Sequence, residues 1–226
     1  MQPILYKKLN DKFSTQVKKA FEELDYQGYS IFNVGEIDKD DFLKLSYSFG
    51  EVIPSGRNCE LVDDIYTTYE IGNKTLPMHT DKSYWRIPPR FEILYVNGVE
   101  NMEKGEITVG NLIGAFHNLS EEDQQTLLSY VSVYSAPFNR DQGSTQTHLV
   151  GVLDNEIAFF RYRLDIFDSS LPEIKRWIDN INDTIKYVSY KKGDILILDN
   201  WRHCAGRNDT VWHDGGYRHL YRSLII

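Results

Sequence analysis

His79 and Asp81, in the segment Leu76-Pro77-Met78-His79-Thr80-Asp81-Lys82-Ser83-Tyr84-Trp85, place an imidazole and a carboxylate two positions apart. The segment reads as a strand end, where side chains at i and i+2 share a face. Two ligands on one face are half of a metal site. A distant second histidine completes the set of two histidines and one carboxylate that leaves coordination positions open on Fe(II). The candidate is His203, in Asp199-Asn200-Trp201-Arg202-His203-Cys204-Ala205-Gly206-Arg207, just after the strand-like run Asp194-Ile195-Leu196-Ile197-Leu198. His213 and His219 are its rivals, although both lie close to Arg218. In an acid-rich chain with six histidines a lone His-x-Asp is expected about once by chance, so the neighbouring motifs decide.

Those motifs are anionic-ligand features. The chain closes on Tyr217-Arg218-His219-Leu220-Tyr221-Arg222-Ser223-Leu224-Ile225-Ile226, a strand pattern with Arg218 and Arg222 four apart and therefore on one face. Gly105-Glu106-Ile107-Thr108 reads as a turn into a strand that carries a hydroxyl. A guanidinium suits a carboxylate because its planar fork makes two parallel charge-assisted hydrogen bonds, to which a hydroxyl adds a third.

Together these segments resemble the taurine dioxygenase and clavaminate synthase group of Fe(II)/2-oxoglutarate-dependent oxygenases. The resemblance covers most of the chain: the helix–strand–helix opening through Phe49-Gly50-Glu51-Val52-Ile53-Pro54, the His-Thr-Asp segment with Pro88-Pro89 beyond it, the Gly-x-x-Thr, the Asp-Asn strand before His203 and the Arg-x-x-x-Arg ending. It implies that His79, Asp81 and His203 ligate iron and that Thr108 and Arg218 hold the distal carboxylate of 2-oxoglutarate. Arg222 matches a second arginine that in several members faces an acidic group of the substrate. It also implies O2 as co-substrate, release of succinate and CO2, and hydroxylation of an unactivated C–H. Two departures stand out. The family follows its distal histidine closely with Gly-Arg, whereas Cys204-Ala205 intervene here before Gly206-Arg207. The family's Gly-Gly-Glu-Thr is reduced to Gly105-Glu106-Ile107-Thr108.

Composition agrees with small-molecule chemistry. A formal charge of -8, with lysines and acids alternating, offers no basic stripe for nucleic acid. The first eight residues lack an apolar signal core and no apolar run approaches the ~18 residues that cross a bilayer, so a cytoplasmic, non-membrane protein is expected. Two cysteines, Cys59 and Cys204, fit free thiols of a reducing compartment, and Cys204 reads as buried packing. With no linker, repeat or low-complexity tract, residues 1–226 are expected to form one domain. Oligomeric state is not legible.

The elements that must position these residues follow from periodicity. Helices are expected over 12–24, from Asp38 to Phe49, over 120–130 behind the capping box of Ser120, and over 171–181 with Pro172 in its first turn. Strands are expected over 28–34, 64–71, 90–96, 106–111, 130–134, 148–152, 157–163, 184–190, 194–198 and 218–226. Many short strands with few flanking helices point to a mainly β chain folded as a double-stranded β-helix, the cupin-like jelly roll.

For the substrate, Arg222, Arg161 (with Arg163) and Tyr84 (with Trp85) are candidate contacts, and Tyr69-Glu70 and Asp63-Asp64 are candidate partners for an ammonium. An amino acid or a similar zwitterion or anion is expected. Desaturation or ring formation are variants of the same chemistry. A cupin-like metal enzyme that does not use 2-oxoglutarate, or a non-catalytic binding module, are the readings from other classes.

Overall fold

The computed structural model describes residues 13–54, 60–68, 75–135, 144–164, 167 and 170–226. Cys59 and the pair Tyr69-Glu70 lie outside the described residues. The strands are β1 (Tyr29–Asn33), β2 (Val52–Ile53), β3 (Asp63–Thr68), β4 (Leu76–His79), β5 (Phe91–Met102), β6 (Ile107–Asn111), β7 (Val131–Ser135), β8 (Ser144–His148), β9 (Val150–Leu153), β10 (Glu156–Phe160), β11 (Lys186–Val188), β12 (Asp194–Asp199), β13 (His203–Arg207) and β14 (Trp212–Ile225). The helices are α1 (Ser14–Gln27), α2 (Lys39–Ser46), α3 (Leu112–His117), α4 (Glu121–Ser129) and α5 (Pro172–Asn182). None of them is long and apolar enough to cross a membrane.

Two antiparallel sheets carry the architecture. The larger runs β1-β12-β5-β14-β2, with β3 also paired to β14, and the smaller runs β11-β6-β13-β4. They face each other across a buried cluster to which the larger sheet gives Leu94, Leu196 and Leu198 and the smaller gives Ile107, Val109 and Val188. Strand β12 shows why the sequence folds this way. Its six residues are all buried, because Ile195 and Ile197 pack outward under α1 and α2 while Leu196 and Leu198 point inward. Outside the smaller sheet, α3, α4 and α5 cover a second core built on Phe116, Phe160, Tyr162, Trp177 and Cys204. The result is the expected double-stranded β-helix, with helices on both outer faces.

Local chemistry sets the ends of the elements. Asp38, Asn111 and Ser120 each accept a backbone N–H three residues on and so cap α2, α3 and α4. Gly28, at φ 80, ends α1 in the left-handed conformation. Helix α3 follows directly on the strand expected over 106–111 and was not expected, because six residues are too few to show helical periodicity. Strand β14 begins at Trp212 rather than at 218, because it pairs with the extension of β5 to Met102.

Candidate active site

The cavity that matters opens between the two sheets, with a volume of about 230 Å³. Its apolar wall is Ile65, Leu76, Leu94, Ile107, Leu198, Ala205 and Leu220, and its charged wall is His79, Asp81, Glu92, Arg207, Arg218 and Arg222. Arg218 and Arg222 arrive from alternate positions of β14, as the i, i+4 spacing requires.

His79 ends β4, and its Nδ1 lies 2.9 Å from the Pro77 carbonyl. A carbonyl only accepts, so Nδ1 carries the proton and Nε2 presents its lone pair to the cavity. That Nε2 stands 3.6 Å from Asp81 Oδ1, a separation that two ligands each ~2 Å from one ion can adopt. The loop holding Asp81 is fixed from below by Asn200. The Asn200 side-chain oxygen accepts the Asp81 N–H at 2.6 Å, while its amide donates to the Asp81 and Pro89 carbonyls. Thr80 ties the same loop to Tyr162 through two hydrogen bonds.

Asp81 Oδ2 accepts from Arg222 Nη1 at 3.1 Å, and the rest of that guanidinium is taken by Asp63 at 2.7 Å and by Glu92 at 3.7 Å. Burial disfavours charge on His79, Asp81 and Arg222 alike. The Asp81 carboxylate nevertheless raises His79, the neighbouring His79 ring and the Arg222 charge bring Asp81 down to about 2, and the Asp81 and Glu92 charges raise Arg222. Glu92 goes the other way: burial, then repulsion from Asp81, push it up to about 7. Arg218 is only 5% exposed. Its Nη1 donates to the Tyr190 hydroxyl at 3.0 Å, while its Nε has no hydrogen-bond partner among the described residues. A buried guanidinium with donors to spare fits an anionic guest.

The other expected residues, Arg222 apart, lie elsewhere in the structure. His203 does not join His79 and Asp81: it lies outside the cavity lining, with its ring so close to Gly28 that a Cβ there would fall 2.0 Å from Cε1. Burial holds it at about 4, favouring the neutral ring. Among the described residues no three His, Cys, Asp or Glu side chains gather as a metal set. Thr108 is also outside. On β6 it alternates with Ile107 and Val109, which face inward, so the expected hydroxyl is replaced in the cavity by the Ile107 side chain. Arg161 braces the fold. It donates to the carbonyls of His148, Trp85 and Arg86 and lies over the Phe159 ring, 4.7 Å from its centre. Tyr84 packs edge-on to Trp85 away from the cavity. Arg222 does line the cavity, but carboxylates of the protein occupy its guanidinium. Of the two rivals, His213 stands 3.6 Å from Glu103 and His219 lies against Asp64.

Glu92, Arg207 and Asp63 were not picked out as a set. Glu92 had a signal: a carboxylate interrupts the apolar strand Phe91-Glu92-Ile93-Leu94-Tyr95-Val96. Arg207 had one too, being two residues from Ala205 on the same strand.

A model of the taurine catabolism dioxygenase TauD, TfdA family matches residues 6–224. No match was found among curated proteins. Among solved structures the fold is similar to an asparagine oxygenase in complex with Fe(II), 2S,3S-3-hydroxyasparagine and succinate (TM-score 0.78, 13% identity, 94% of this chain and 79% of that one). It is also similar to the non-heme iron oxygenase OrfP in complex with Fe and alpha-ketoglutaric acid (0.73, 18%, 96% and 80%). A third is a putative alpha-ketoglutarate-dependent taurine dioxygenase from Burkholderia xenovorans (0.74, 17%, 100% and 87%).

Proposed function

The chain belongs to the taurine catabolism dioxygenase TauD, TfdA family of non-haem Fe(II)/2-oxoglutarate oxygenases, and from that premise we propose that the cavity between its sheets is the reaction site. The substrate of this reading is a small amino acid or related zwitterion, oxidised at an unactivated C–H. A cavity of about 230 Å³ is below the size range of drug-like ligand sites and suits a metabolite-sized guest. The asparagine oxygenase named above holds 2S,3S-3-hydroxyasparagine and a mutant of OrfP holds (3S)-hydroxy-L-Arg, which supports the amino-acid class. The buried clusters on both sides of the larger sheet are continuous with it, which supports reading residues 1–226 as one domain.

The single observation that carries the reading is Arg218, a buried guanidinium lining the cavity that also holds His79 and Asp81. Arg218 binds and orients the distal carboxylate of 2-oxoglutarate. His79 Nε2 and Asp81 Oδ1 are the protein donors for iron, which when bound supplies the activation of O2. Arg222 keeps Asp81 ionised and fixes which oxygen faces the cavity. Leu94, Leu198 and Leu220 exclude water from the reacting end. The residues present fit the metal only in part: the donor set is two where the family's is three, so no step is routed through the metal here.

Calorimetric titration with 2-oxoglutarate tests the anchor. Arg218→Ala should weaken binding at least tenfold, because it leaves one carboxylate unpaired in a partly desolvated pocket. Unchanged affinity would remove Arg218 from the site. Ala205 in the cavity wall, where a third donor is wanted, favours one second reading: a pocket that binds the 2-oxo acid without turning it over.

A further inference from the structure

Two guanidiniums enter the cavity from the two facing sheets. Arg218 comes from β14 of the larger sheet and Arg207 from β13 of the smaller one, and both line the same space. Arg207 stands across the ladder from Ile107 of β6, the residue found where a hydroxyl was expected, so the strand beside the missing hydroxyl supplies a cation instead. A hydroxyl enters from another strand. Thr67 of β3 is paired directly with Arg218 and also lines the cavity. Residues opposed in this way have Cβ atoms about 5 Å apart. Tyr190, whose hydroxyl accepts from Arg218 Nη1 at 3.0 Å, holds that guanidinium in place.

Asp81 and Glu92, the carboxylates of the lining, meet Arg222, and among the described residues Arg218 has no carboxylate partner. Like charges therefore converge in a partly desolvated space: burial, then the charge of Arg218, hold Arg207 below its ordinary pKa. An anion between the two removes that repulsion. A carboxylate offers about four acceptor positions, enough for both guanidiniums and a hydroxyl. We infer that Arg207 and Thr67 join Arg218 in gripping the distal carboxylate of 2-oxoglutarate, and that they make the cavity select a 2-oxo dicarboxylate over a 2-oxo monocarboxylate. This rests on the reading of Arg218 as the anchor and adds two positioning residues to it. Thr108, outside the lining, takes no part.

Anaerobic calorimetric titrations with 2-oxoglutarate and with 2-oxopentanoate, which carries a methyl group in place of the distal carboxylate, read the anchor without turnover. The unmodified protein should bind 2-oxoglutarate about tenfold or more tightly than 2-oxopentanoate. Arg207→Ala should lose about tenfold or more of the 2-oxoglutarate affinity, as Arg218→Ala does, and Thr67→Val about threefold or more. Affinity for 2-oxopentanoate should stay within about twofold in all three, and Thr108→Val should leave both acids within the same margin. Thr67→Val decides even if Arg207→Ala fails to fold. Unchanged 2-oxoglutarate affinity in Arg207→Ala or in Thr67→Val, beside a loss in Arg218→Ala, would overturn the inference and leave the Arg218 anchor intact. Equal losses for the two acids in Arg207→Ala would also overturn it, because a merely structural role acts on both alike. No binding of 2-oxoglutarate by the unmodified protein, or full affinity in Arg218→Ala, would overturn the inference and the anchor together.

Discussion

Asp81 has its two oxygens divided between His79 and Arg222, and that division orders the site. One oxygen is committed to a guanidinium already shared with Asp63 and Glu92, so only the other is left to face a guest. The sequence made Arg218 legible because spacing by four on a strand settles the face, and His79 with Asp81 legible as a pair, although Asp81 lies in the loop just past β4. It did not make Arg222's carboxylate partners or Arg161's three carbonyls legible, because those contacts join segments far apart in the chain. His203 illustrates the same limit: strand periodicity put it on the inner face, but only the register with β4 shows that Ala205 is the residue opposite His79. A pH prediction belongs to this ring. Its pKa falls from the usual 6.5 to about 4, chiefly through burial. Between those values the unfolded chain binds more protons, so the full contribution is present above pH 6.5 and is lost as pH drops toward 4. The loss is about 3 kcal/mol at most. Urea unfolding at pH 7 and pH 4.5 should show a smaller acid loss in His203→Gln than in the unmodified protein. Equal losses would mean the ring is not held neutral.

Among the elements, β12 was the most legible, since a continuous apolar run buried on both faces can only be a central strand. Strand β12 also delivers the Asn200 clamp, so the loop carrying Asp81 inherits the rigidity of the sheet. Helix α3 and the early start of β14 were not legible, because one depends on a single Asn111 cap and the other on a partner strand that runs longer than its own apolar pattern. The junction of α1 and β1 is where two elements constrain each other most closely. Gly28 has φ 80 and no room for a Cβ, since the His203 ring would lie 2.0 Å away. Gly28→Ala should therefore cost about 2–4 kcal/mol, from left-handed strain and overpacking together. In a double-mutant cycle with His203→Ala the overpacking part should vanish and the strain remain, giving a coupling of about 1–2 kcal/mol. Additive losses would show that the ring and the helix end do not touch in solution.

At the scale of the whole molecule, the jelly roll was readable from many short strands with few helices, while the choice of which inner-face residues line the cavity was not. Two facing sheets leave one cavity whose apolar and charged walls come from six strands, β3, β4, β5, β6, β13 and β14, together with Leu198 at the end of β12 and the Asp81 loop. Family membership and the buried Arg218 argue for oxygenase chemistry there. The direct measurement is succinate formed from 2-oxoglutarate in air, with Fe(II) and a panel of free amino acids. The account predicts succinate above the protein-free blank with at least one amino acid, abolished in Asp81→Ala. No succinate under any of these conditions, or the same yield from Asp81→Ala, would contradict it.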